Sequence, residues 1–413
     1  MPPSDTSPLL ANGAHHGGGS RASFHERILG VLNAEGEPTW TASYRYFFFG
    51  SWLNVLLVFV PLSILSHHLN WDAALRFVFS FIAIIPLAKL LGDATEQTST
   101  RLGQTLAGLL NASFGNAVEI IVAVAALLQG QIRIVQTSLL GSILSNILLV
   151  LGCSFLAGGL TRQENVFQVT AAQTSSSLMT LACITLVIPA AYHSSQNDPN
   201  TTPDATLHQA QDAAHNGLLI ISRGTAILLL FVYVAYLVFQ LKTHHELFLA
   251  EGEGEEEEEE QHMNIASAGV ALLGVTLVTS FCADYLVASI EETADRYSIP
   301  KPFIGLILLP LVANAAEHVT SVWMAMKNKM ELTIGICVGS SIQIAAFVVP
   351  LMVIIGWITG HEMTLYFANF ETIVLFVSVM LVNLLIQDGK SNYMEGLMLI
   401  TLYLVISLAF WVA

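Results

Sequence analysis

Charge is what this chain has least of. Of its 413 residues only 11% are charged, against roughly a quarter in a soluble domain. Such a chain cannot cover itself with a hydrated surface, which excludes an ordinary soluble globule. Lys and Arg number 15 together and the formal net charge is −16, so nucleic acid is not a partner and cations are favoured. Cysteine is scarce too. Cys153, Cys183, Cys282 and Cys337 lie inside apolar segments at no metal-ligand spacing and read as small buried hydrophobes. No HExxH accompanies the Glu317-His318 pair and no Asp pair sits in facing helices, so an intramembrane enzyme is not expected.

Residues 1–50 lack the basic start, apolar stretch and small-residue cleavage site of a signal peptide. They read as a disordered cytosolic tail. Within it "DTSPLL" (Asp5 to Leu10) resembles an acidic-dileucine sorting signal of the kind used for endosomal and vacuolar delivery.

What the chain has in abundance is hydrocarbon. Apolar stretches of about twenty residues recur from Ser51 onward, each able to span a bilayer core of roughly 30 Å. They lack the alternation of barrel strands and are therefore helices. The expected fold class is an all-α polytopic membrane protein of about eleven transmembrane helices. Expected limits are 51–68, 73–92, 103–128, 133–158, 168–192, 217–241, 265–289, 303–326, 332–358, 364–387 and 394–412. Ten Lys and Arg fall on the N-terminal side of these spans and five on the other, which predicts a cytosolic N-terminus and a lumenal C-terminus. The loop from Tyr192 to Asn216 has no Lys or Arg and carries a glycosylation sequon at Asn200, as expected of the far side.

One segment breaks the apolar pattern. In "LLNASFGNAVEIIVAVAALL" (Leu109 to Leu128) a glutamate, Glu119, sits near the middle of a span, with Asn116 one turn before it. An acid in hydrocarbon is costly and by default functional. The motif has a second copy. "GNAVE" (Gly115 to Glu119) aligns with "ANAAE" (Ala313 to Glu317) at an offset of 198, and Gly141-Ser142 aligns with Gly339-Ser340 at the same offset. Gln173-Thr174 aligns with Glu371-Thr372, again 198 later. Five spans separate the copies, and an odd number inverts the second. The expected organisation is an extra helix at 51–68, a first repeat over 73–241, an acidic cytosolic loop at 242–264 and an inverted repeat over 265–413.

In each copy Asn and Glu share a helix face. Two such faces near the bilayer midplane offer two carboxylates, from Glu119 and Glu317, and two amide oxygens, from Asn116 and Asn314. Hard divalent cations require such a set. Ser142, Ser145, Ser340 and Gln343 follow in apolar surroundings and read either as further ligands or as ordinary interhelical hydrogen bonds. Glu119 and Glu317 crowd each other when no metal is bound, so protons and metal compete for them. Competition at one site with alternating access gives metal/proton antiport. His318 reads either as a proton relay or as a satisfied bundle histidine. Asp284 and Glu371 are weaker candidates, because nothing pairs them with a partner acid at the repeat offset.

Much of the negative charge lies in one run, "EGEGEEEEEE", with Glu251, Glu253, Glu255, Glu256, Glu257, Glu258, Glu259 and Glu260 between spans six and seven. It reads either as a solvated linker or as a cytosolic calcium collector or sensor.

The paired "GNAVE" and "ANAAEH" motifs, the Gly-Ser stretches after them and the acidic run between the halves resemble the cation/proton exchanger family of the calcium/cation antiporter superfamily. The resemblance covers roughly residues 50–413. It implies eleven helices, a vacuolar membrane, and calcium uptake driven by lumenal acidity. It also implies Glu119 and Glu317 as central ligands with Asn116 and Asn314 beside them. A further glutamate of the family's second helix matches Glu96 in "DATEQ", as an ion-access residue or a solvated helix end. Calcium and protons are then cargo, the lipid bilayer is the setting, and no cofactor is implied. Manganese, or divalent cations broadly, suit the same ligands. Paired acids also line channel pores, but an inverted repeat with midplane acids favours exchange. A homo-oligomer remains open.

Overall fold

The computed structural model describes residues 38–100, 102–196, 207–244 and 261–412. The sorting-signal stretch, the sequon at Asn200 and the acidic run lie outside them. Helices occupy every expected span. Seven are long and apolar enough to cross a membrane unaided: Ala73–Ser99, Ile132–Leu160, Ala172–Ser195, His215–Thr243, Ile265–Tyr297, Met330–Thr359 and Tyr393–Val412. The eighth span, Lys301–Ala313 with Ala315–Met326, bends by 57° at Asn314. The third is broken in the corresponding place, between Gly103–Phe114 and Ala117–Leu128. The first runs from Trp52 to His68, and the tenth is the shorter helix Asn369–Leu385.

One boundary differs from the sequence reading. Residues 40–49, assigned above to the tail, form a helix, Trp40–Phe49, set at 87° to the first span. Thr39 caps it, and it buries only Ser43 and Phe47. It is too short and too aromatic on its outer side to register as either a span or a polar tail. Ser43 accepts the Asn264 amide N–H, so this helix is tied to the start of the seventh span.

The packing obeys the two-fold relation that the repeat predicts. The second and seventh spans, which are counterparts, lie along each other, as do the fifth and tenth. The sixth packs on the second half of the ninth, and the eleventh on the second half of the fourth. Even irregularities recur in register. A π-helical turn at Ser145–Val150 interrupts the fourth span, and another at Ile344–Val348 interrupts the ninth. Gly130 and Asn328, 198 apart, both adopt positive φ, at 73° and 65°.

Loops that should share a membrane face bond to one another. After the fourth and tenth spans, Asn165–Val166 pairs antiparallel with Lys390–Ser391. After the second and sixth, Gln97 accepts the backbone N–H groups of His262 and Met263. On the opposite face Arg76 meets Glu292 at 2.5 Å and His215 meets Glu362 at 2.9 Å. All four pairings fit an eleven-span alternation.

Candidate ion-binding site

Two helix breaks build the site. Asn116 (φ −110°, ψ 33°) and Asn314 (φ −86°, ψ 9°) leave helical geometry at the junctions of the third and eighth spans. Asparagine favours such positions because its amide competes with the backbone for hydrogen bonds. Each break starts a new half-helix, and Glu119 or Glu317 lies in its first turn. Free N–H groups and the helix dipole favour negative charge there. The Asn and Glu of each motif are thus neighbours across a junction, not two positions within one unbroken helix.

Each asparagine reaches into the other repeat. Asn116 Nδ2 donates to Gln343 Oε1 at 2.5 Å, and Asn314 Nδ2 donates to the Ser142 carbonyl at 3.3 Å. Glu317 is held on both oxygens, by Ser340 Oγ at 2.7 Å and by Asn146 Nδ2 at 3.0 Å. These bonds occupy the amide nitrogens and leave the oxygens. Oδ1 of Asn116, Asn146 and Asn314 is buried with no hydrogen-bond partner. Leaving a buried acceptor unpaired costs on the order of 1–3 kcal/mol. Asn146 bonds Glu317, and Asn116 and Asn314 each stand three residues before an acid; unpaired oxygens so placed suit a hard cation, which prefers oxygen ligands. Among the described residues no cluster of three or more His, Cys, Asp or Glu that could hold a metal exists, so amide, hydroxyl or carbonyl oxygens and water are needed to complete a coordination shell around the two acids.

Glu119 and Glu317 both line a cavity of about 640 Å³, and their charges repel each other. Asn111, Glu96, Ser340, Gln343 and Glu331 line it too. Its walls come from the ends of the second and sixth spans and the starts of the fifth and ninth, so it opens on the face that carries the N-terminal helix. A second cavity, of only about 20 Å³, touches Glu119 from the other side. The two are repeat counterparts. Val122, Ser138, Ser142, Leu286, Leu309 and Val312 line the small one, and residues 198 away in register, Thr320, Ile336, Ser340, Ala88, Asn111 and Phe114, line the large one. A volume of 20 Å³ admits about one water.

The sequence-derived candidates divide accordingly. Glu119, Glu317, Ser340 and Gln343 line one cavity; Asn116 joins through Gln343 and Asn314 through the Ser142 carbonyl, although neither asparagine lines a cavity. Glu96 lines the wide cavity near its mouth. Ser145 is buried at the start of the π-helical turn and is not among the residues lining either cavity. His318 is half-buried beside Glu317 and likewise lines neither. Glu371 is buried far along the chain from both motifs, bound to Arg133 and to the Ala368 N–H. Asp284 is exposed and offers its backbone carbonyl to Gln129. Two residues were missed. Asn146 ends the stretch Leu139 to Asn146, but Ile344 occupies its repeat position, so symmetry did not mark it. Glu331 looks like a loop charge at a helix start, yet it lines the cavity and accepts the Gln168 N–H at 3.0 Å.

Inverted five-helix repeats meeting at paired acids within the spans define an all-helical, multi-pass membrane protein of the secondary-transporter type. The chain belongs to the sodium/calcium exchanger protein family, whose profile matches residues 72–242 and 267–412. These two stretches fall over the repeats expected at 73–241 and 265–413. The vacuolar calcium ion transporter of Schizosaccharomyces pombe is 47% identical over 385 residues, covering 93% of this chain and 89% of that one. Vacuolar cation/proton exchanger 3 of Oryza sativa subsp. japonica is 42% identical over 379 residues, with 90% and 88% covered. Among solved structures, the Ca2+/H+ antiporter protein YfkE is similar with a TM-score of 0.71 and 32% identity, covering 89% of this chain and 100% of that one.

Proposed function

We propose that this protein is a secondary active antiporter that moves cytosolic calcium into the vacuole in exchange for lumenal protons by alternating access. The observation that carries the reading is the unequal pair of counterpart cavities meeting at Glu119. One is wide and reaches both acids; the other, built from equivalent residues, is collapsed. A channel needs both open at once. Two related cavities of which one is shut are what access from a single side would leave, and they support a carrier.

The chemistry follows from the ligands. Glu119 and Glu317 supply two negative charges, enough to neutralise one calcium ion. Protons neutralise the same carboxylates when the ion leaves, because the two charges repel each other. Calcium therefore displaces protons on the cytosolic side, and lumenal acidity returns them on the other. Relatives named as vacuolar calcium or cation/proton transporters support both the cargo and the membrane.

Proteoliposomes with a preset pH gradient test this. An acid interior should drive calcium uptake, with alkalinisation inside as calcium enters. Calcium uptake that ignores the proton gradient would favour a channel and sink the exchanger.

Orientation follows from the charge count. A tag before Trp40 or within Glu251–Glu260 should be cleaved by protease added outside sealed vacuoles, and one near Asn200 should be protected. Protection of the acidic run would reverse the assignment of faces.

The acidic run is proposed to gather cytosolic calcium. Replacing Glu255 to Glu260 with glutamine should then raise the calcium concentration needed for half-maximal exchange by roughly two- to fivefold, the range that exposed charges deliver. The maximal rate should be unchanged, and the defect should fade at high salt as screening shortens to a few Å. A calcium dependence identical to the native chain's would reduce the run to a linker.

A further inference from the structure

The repeat makes the wide cavity a mirror of the shut one, so the contacts that shut one cavity specify how the other shuts. Gly141, in the fourth span, is packed hard against the first half of the eighth. A Cβ there would strike the Leu306 carbonyl and lie 2.6 Å from Pro310 Cγ. Its counterpart Gly339 lines the wide cavity, and a Cβ there would meet nothing within 4 Å. One turn earlier the same contrast holds. Thr137 fills the space over Gly305, where a Cβ would overlap its hydroxyl, while its counterpart Gly335 faces open space. On the shut side the loop between the third and fourth spans also holds the seventh, since Gln131 Nε2 reaches Glu291 Oε2 at 3.4 Å. The counterparts are Lys329 and Asp93. Both Gln131 and Lys329 precede a helix with nearly the same backbone (φ −83°, ψ 54° and φ −98°, ψ 61°). Asp93 lines the wide cavity and is bound instead to Lys89 on its own helix.

We propose that the wide cavity closes when Gly339 packs against the Gly108 turn of the third span and Lys329 takes Asp93, the contacts that Gly141 and Gln131 make now on the other side. This rests on the alternating-access reading above. Gly339 is a positioning residue. Its missing side chain lets the two helices meet. Glycine in mid-helix is otherwise a liability, and at a position that currently faces empty space it has no packing reason in this state. The second leg replaces a glutamine–carboxylate bond with a lysine–carboxylate pair, a charge-assisted bond on the cytosolic side.

The experiment uses the full chain in oriented vesicles. Gly339→Leu should fold and accumulate normally, because the space is open and leucine is the better helix former. It should nevertheless abolish exchange, by holding the cavity open. Gly274→Leu, an equally open glycine on the exposed side of the seventh span, should leave exchange intact. Access is read separately with Val122→Cys, at the shut cavity, in a chain whose own four cysteines are replaced by alanine. A membrane-impermeant thiol reagent on the lumenal face should label it in the otherwise native chain and not with Gly339→Leu present. Asp93→Cys with Lys329→Cys should cross-link under oxidation, stop exchange, and recover on reduction. If Val122→Cys is labelled equally with and without Gly339→Leu, or the 93–329 cross-link never forms while labelling is normal, the closing contacts are wrong and alternating access survives. If Val122→Cys is never labelled although the chain transports, alternating access falls, and this proposal with it.

Discussion

Glutamine at position 119, or at position 317, will take calcium/proton exchange to background while the protein still accumulates in the membrane. Each substitution removes one of the two charges proposed to face a divalent ion, and with it one proposed proton carrier. At an effective dielectric near 20, a unit charge about 4 Å from another is worth roughly 4 kcal/mol. That is about a thousandfold in affinity for each unit of charge on the ion, at 1.4 kcal/mol per factor of ten. The two variants will not be equivalent. Glu317 accepts from Ser340 and Asn146, so a glutamine amide there turns one N–H2 toward a donor and loosens the link between the repeats. Glu119 has no such pair of donors and should tolerate glutamine with less loss of heat resistance. Vesicle uptake and thermal survival in detergent measure the two effects. Exchange within a factor of about three of native in either variant would remove the two-carboxylate site, since so small a loss is under 1 kcal/mol.

Why these two acids were visible in the sequence is a matter of cost. A glutamate in an apolar span needs a reason, and the 198-residue offset supplied a second copy of the same anomaly. The repeat also carried the architecture, because inversion follows from counting spans. What it could not carry was anything that breaks symmetry. Asn146 faces Glu317, but its repeat position holds Ile344, so no pattern singled it out. The inequality of the two cavities is likewise invisible. Sequence symmetry predicts equivalent halves, and the structure departs from equivalence through packing, as at Gly141 and Gly339. The helix breaks at Asn116 and Asn314 were hidden for a different reason. Continuous hydrophobicity signals a continuous span, and one residue leaving helical geometry does not alter the average.

Glu371 shows the same limit for a charge. In sequence it is an acid at a span's edge with no partner at the repeat offset. In space it is bound at both oxygens by Arg133, which lies 238 residues earlier. It also accepts the Ala368 N–H at 3.1 Å and so caps its own helix. These bonds make it part of the scaffold on the shut face, where the fourth and tenth spans meet, and account for its burial without an ion.

Arg133→Met will therefore destabilise the protein more than any neutral substitution on that face. Glu371 is 1% exposed and Arg133 44% exposed. Removing the guanidinium leaves a carboxylate buried with only one backbone donor. Breaking a buried pair from one side costs about 3–5 kcal/mol. Water at the exposed arginine discounts this to roughly 2–3 kcal/mol. Removing both charges is a different matter. Arg133→Met combined with Glu371→Met leaves no stranded ion, and well-packed apolar replacements of a buried pair are often neutral. The double variant should recover most of the lost heat resistance, although the helix cap at Ala368 stays lost at about 1 kcal/mol. Thermal survival of the purified protein in detergent reads this directly, and exchange per folded molecule should stay within a fewfold of native in the double variant. A double variant as fragile as Arg133→Met alone would show that the pair does more than neutralise itself. Full stability with lost calcium exchange would instead move Glu371 from the scaffold into the ion path.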